Sequence, residues 1–195
     1  MHRLPRLVLL ACVAMLLPAA RAATPADAFL ATLAAMCGQA FEGRIVANQP
    51  DAPDDPFVGR RLVMHVRACE PGAVRIPLHV GDDRSRTWVV TRTADGLRLA
   101  HDHRHADGTP DVLTMYGGDT LDPGSATRQA FPANAGSKAL FEREGRAVST
   151  GNTWTLEIDP GRRFSYRLAR TGREFQVDFD LTRPVDPPPA PWGAN

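Results

Sequence analysis

The chain has 195 residues, 43% hydrophobic and 23% charged, the composition of one globular domain, which excludes a wholly disordered polypeptide. Lys plus Arg is 23 against Asp plus Glu 22, a formal net charge of +1, so no global field favours nucleic acid or an acidic partner. Only Lys138 is a lysine, and arginine supplies the other basic groups.

The first 22 residues have the three parts of a secretory signal: basic His2, Arg3 and Arg6, an apolar run from Leu7 to Leu17, and a small-x-small site at Ala20-Arg21-Ala22. The run stops at Pro18, short of the ~18–20 residues that span a bilayer. The expectation is residues 1–22 as signal peptide and an exported protein, periplasmic or secreted, with no transmembrane segment after cleavage. Cleavage removes three arginines, leaving 20 basic and 22 acidic groups, or −2. It also removes Cys12 and leaves Cys37 and Cys69, an even pair in an oxidising compartment, where a disulfide forms and persists.

A single clear helix follows. Thr24 caps it, Pro25 suits its first turn, and Asp27 completes a capping box. Phe29, Leu30, Leu33, Met36 and Cys37 form an apolar stripe, and Gly38 ends the helix.

From Phe41 the period changes from 3.6 to 2. Leu62, Met64 and Val66 alternate with Val63, His65 and Arg67; Val74, Ile76, Leu78 and Val80 with Arg75, Pro77 and His79. Trp88 and Val90, Leu97 and Leu99, Trp154 to Ile158, Phe164 to Leu168 and Phe175 to Leu181 continue the pattern, between turns such as Pro71-Gly72, Gly81-Asp82-Asp83 and Thr171-Gly172. These runs predict a mainly β domain over residues 23–182. It is an antiparallel meander of about eight to ten strands curled into a barrel, preceded by the short helix and interrupted by a second helix at Ser137 to Glu144. Asn48 to Pro56 reads as a loop. Residues 183–195 carry Pro184, Pro187, Pro188, Pro189 and Pro191 and read as a disordered tail that cannot join a sheet.

The helix followed by Phe41-Glu42-Gly43-Arg44-Ile45 and a meander resembles the calycin group, lipocalins and fatty-acid-binding proteins, with Ile45 where lipocalins carry Trp. That resemblance implies small-molecule binding inside a barrel. Cys37 to Gly43, together with His101-Asp102-His103-Arg104-His105, also resembles uncharacterised exported proteobacterial proteins, which implies no particular activity.

Two clusters carry candidate chemistry. Arg84, Arg86, Trp88 and Val90 alternate, and two guanidiniums on the face of an indole suit a carboxylate or phosphate on an apolar body. His101, His103 and His105 alternate beyond Leu97 and Leu99, which places them at a barrel mouth. Neighbouring histidines of such a strand stand ~6.5–7 Å apart, close enough to share a metal, whereas His101 and His105 at ~13 Å are not.

The leading expectation is a small-ligand-binding barrel, its ligand anionic or amphipathic, held by Arg84, Arg86, Trp88, Leu97, Leu99, His101, His103 and Tyr116, with no cofactor. The alternatives are a metal-binding protein or metal-dependent enzyme, with a transition metal such as zinc on the 101/103/105 histidines, and a cell-envelope interaction module using its proline-rich tail. No catalytic constellation stands out: Ser85 has no nucleophile-elbow glycines, and Asp54-Asp55 and Asp82-Asp83 are adjacent carboxylates that point apart.

Overall fold

The computed structural model describes residues 22–194; the proposed signal segment lies outside them, apart from Ala22. Helix α1 (Pro25–Ala34) opens the domain with the expected capping box. The Thr24 hydroxyl accepts from the Asp27 amide while the Asp27 carboxylate takes the Thr24 amide. A turn then runs to Gly38, at φ +83°. Phe29, Leu30 and Leu33 are buried where α1 packs on strands β4 (Ala73–Val80), β5 (Asp83–Arg92) and β8 (Arg128–Pro132), so the helix plugs one end of the barrel.

The remaining strands are β1 (Ala40–Gln49), β2 (Leu62–His65), β3 (Ala68–Glu70), β6 (Leu97–His103), β7 (Tyr116–Asp119), β9 (Thr153–Asp159), β10 (Arg163–Arg170) and β11 (Arg173–Val185). Ten of the eleven strands pair antiparallel in the order β7-β6-β5-β4-β2-β1-β11-β10-β9-β8, and β3 pairs only with β4. The two ends of this ladder meet. Gly118 of β7 bridges Ala133, and the Asn134 amide donates to the Gly117 carbonyl at 3.2 Å. This short seam nearly closes the sheet into a barrel.

Close backbone approaches on both sides of β7 explain the paired glycines. A Cβ on Gly118 would lie 2.3 Å from the Pro132 carbonyl oxygen, and one on Gly117 1.8 Å from that of Leu99. Helix α2 (Ala135–Arg143), capped by Asn134, follows directly, and its Ser137 hydroxyl takes the Gly117 amide at 2.7 Å.

Cys37 and Cys69 form a disulfide with Cα atoms 6.2 Å apart, tying the turn after α1 to β3. Closing a loop over that separation of 32 residues stabilises the fold by about 3–4 kcal/mol in the chain-entropy account. Among the described residues, no helix is long and apolar enough to cross a membrane.

The expectation for residues 183–195 is revised. Strand β11 continues to Val185, and Pro188, Pro189 and Pro191 beyond it lie against the outside of the barrel. There the Trp192 amide donates to the Arg84 carbonyl at 3.0 Å, the Arg84 guanidinium donates to the Ala190 carbonyl at 3.2 Å, and Pro191 is buried. Lacking N–H groups, prolines do not extend a ladder, yet their rings still cover a sheet face. The segment is a strap.

Candidate functional site

Inward-facing side chains fill the barrel. Trp88 on β5 stacks on Tyr166 of β10 with ring centroids 4.4 Å apart and planes 13° apart. Phe164 of β10 and Phe179 of β11 each lie 6.1 Å from the same indole. Side chains from opposite walls therefore touch, which leaves no ligand-sized space at this level. Leu97 and Leu99, fully buried, belong to the same core, with α1 closing their end. Trp88, Leu97 and Leu99 thus stand inside, as their alternation predicts, as packed core.

His101 is 3% exposed and held on both ring nitrogens. Its Nδ1 lies 3.2 Å from the Tyr116 carbonyl oxygen, which can only accept, so Nδ1 carries the proton. Nε2 then accepts from the Tyr166 hydroxyl at 2.9 Å. Tyr116 stacks on the ring at 4.8 Å and Trp154 tilts against it at 5.0 Å. Burial holds the imidazole neutral, lowering its pKa to about 3, with the neighbouring His103 adding to the effect. The same desolvation pushes the Tyr116 phenol up to about 12 and Tyr166 well above its usual range.

His103 is half-buried one layer nearer the open end, its Nε2 3.3 Å from the Tyr116 hydroxyl. Burial first, then the Arg86 cation, lower its pKa to about 4. Arg86 is paired opposite His103 in the β5–β6 register, its side chain 18% exposed. Its guanidinium is ion-paired with Asp83 and lies 5.2 Å over the Phe57 ring. Phe57 reaches in from the loop between β1 and β2 and packs on Phe175 at 5.0 Å. Arg86, His103 and Tyr116 therefore come together at the rim, with Asp83 and Phe57 as partners that sequence periodicity did not single out.

Arg84 leaves this group. Strict alternation puts it on the face of Arg86, but the β4–β5 ladder slips by one residue: Leu78 pairs with Arg86, while Val80 pairs with Asp83. This β-bulge turns Asp83 inward and Arg84 outward, against the strap. A one-residue insertion in a ladder leaves no mark on hydrophobic periodicity.

The three histidines are not gathered on one point. Both His101 nitrogens are engaged, His103 bonds Tyr116, and His105 is exposed past the end of β6. Among the described residues no group of three or more His, Cys, Asp or Glu is placed to hold a metal ion.

The outer face of β2 and β4 also departs from expectation. Positions that alternate with an inward-facing set ordinarily face water, yet His65 and His79 are 6% and 4% exposed. His79 is paired opposite Val63, and both border a cavity of about 540 Å³ between the sheet and the strap, with Arg61, Arg84, Pro188 and Pro189. The signal was present in composition: the outward positions of β2 and β4 include Val63, His65, Pro77 and His79, without a carboxylate. Outward positions of β10 and β11, by contrast, carry Arg163, Arg167, Glu174 and Asp178. No protein family, curated protein or solved structure matches the chain.

Proposed function

We propose that the chain is an exported interaction module of the cell envelope, periplasmic or secreted, that works through its outer surface and proline-rich strap. The observation that carries this reading is the contact of Trp88 with Tyr166 across the barrel. Small ligands are held in cavities of about 300–1,000 Å³, and the level of the barrel where one would sit is occupied by aromatic side chains, which supports a calycin-like meander serving as a rigid scaffold. Export is supported by the Cys37–Cys69 disulfide, a bond kept in oxidising compartments, and by the leader-like sequence of residues 1–22.

A photo-crosslinking side chain at Pro189, in cells exporting the full chain, tests the reading. It predicts a discrete adduct from position 189 and none from Leu121, which is 83% exposed in a separate loop. Absence of any adduct at 189 contradicts it. A second reading, a small anionic ligand at the rim, draws on the convergence of Arg86, His103 and Tyr116. It requires that ligand to displace Asp83 from Arg86, and a bound organic molecule is its mark.

A further inference from the structure

The strap covers a titratable face of the sheet. After Val185, which pairs with Ala40 of β1, the chain crosses the outside of β2 and β4 to reach Arg84 on β5. Its polar attachments there are the Trp192 amide to the Arg84 carbonyl and the Arg84 guanidinium to the Ala190 carbonyl. Beneath it His79 is buried with Nε2 unpartnered, and one strand away His65, beside Ala40 in the register, is buried with Nδ1 unpartnered. A buried imidazole without a carboxylate partner is stable only while neutral.

We infer that the strap is a pH-sensitive latch: protonation of His79 favours release of residues 186–194 from the outer face of β2 and β4. The charged groups around His79 set the direction. Arg84 on β5, Arg67 beyond β2 and His65 on β2 oppose a second positive charge, and Arg61 borders the same cavity. Asp83 on β5 favours the charge but is ion-paired with Arg86, while Asp82 in the β4–β5 turn and Asp186 on the strap border the cavity. His65 faces Arg67 and the Gly38 backbone, the latter favouring its charged form. Lifting the strap uncovers the His79 ring to water and frees the Arg84 guanidinium from the Ala190 carbonyl, so that the imidazolium is hydrated and the two cations can separate.

Burial and these cations hold His79 at about 4 while the strap is docked, against 6.5 for a hydrated imidazole. A depressed histidine pKa favours docking fully above pH 6.5 and progressively less as pH falls toward 4. Between pH 7.5 and pH 5 the docking constant therefore drops by up to about 30-fold, the limit in which release restores the ordinary histidine value. The inference stands whether or not the strap has a partner.

Hydrogen exchange at the Trp192 amide of the full chain reads that constant, once corrected for the intrinsic pH dependence of exchange. The expected result is a protection factor several-fold, and at most about 30-fold, lower at pH 5 than at pH 7.5, with β9 and β10 amides staying protected, and no such drop in His79→Gln. An equal protection factor at both pH values, or an equal drop in His79→Gln, overturns the latch. Should that variant fail to fold, NMR titration of His79 in the unaltered protein decides: a pKa well below 6.5 is required, and an ordinary one overturns the inference.

Discussion

His101 shows how one buried polar residue constrains the centre of the barrel. Its two nitrogens have separate partners of opposite kind, the Tyr116 carbonyl and the Tyr166 hydroxyl, so ring orientation and tautomer are both fixed. His101→Phe keeps the stacking on Tyr116 and Trp154 but leaves the Tyr166 hydroxyl buried without its partner, at a cost of about 1–3 kcal/mol. Its pH signature is separate. The folded pKa lies near 3, below the 6.5 of an exposed imidazole, so the contribution is full above pH 6.5 and falls as the unfolded chain takes up a proton below it. Between pH 6 and pH 4, the unaltered protein should lose about 1.4 kcal/mol per pH unit more than His101→Phe. Urea unfolding at several pH values measures the difference; equal slopes contradict a neutral, desolvated His101.

At the scale of elements, the barrel depends on a seam much shorter than its ladders. Gly118→Ala places a Cβ 2.3 Å from the Pro132 carbonyl oxygen, and β7 must move away from β8 to accept it. The expected effect is destabilisation of about 2–4 kcal/mol, with amide protection lost first at Gly117, Gly118 and Asn134. An unchanged midpoint of unfolding contradicts the seam. The sequence made the long strands legible because one buried face imposes period two on Leu62 to Val66, Val74 to Val80, Trp154 to Ile158 and Phe175 to Leu181. It also made α1 legible, because Thr24 and Asp27 occupy capping positions. Strands β7 and β8 were not among the clear alternating runs, since Tyr116-Gly117-Gly118-Asp119 has glycine where the pattern would be read. The rim was half legible: Arg86 and His103 follow from alternation, whereas Tyr116 sits in a strand without a readable pattern and Arg84 was lost to a bulge. His79 lies under the strap, more than a hundred residues away in sequence, a contact that local periodicity does not encode.

On the whole-molecule scale, the protein is a barrel plugged by α1, stapled by one disulfide, nearly closed by a glycine seam and strapped on its outer face. Each feature adds rigidity or covers surface, and the aromatic core occupies the level where a carrier would hold its cargo. The groups left to face a partner are at the rim, along the strap and on the charged outer strands. That arrangement suits recognition at a surface, with the strap as an acid-releasable cover over part of it.

The central claim, a filled barrel that acts through its exterior, is tested most directly by native mass spectrometry of the protein exported with its own leader and purified without chelator. The account predicts the bare chain without its leader, two hydrogens lighter for the Cys37–Cys69 bond, with no metal and no organic adduct. A stoichiometric small molecule released on unfolding would contradict it, returning the function to the interior or to the Arg86, His103 and Tyr116 rim.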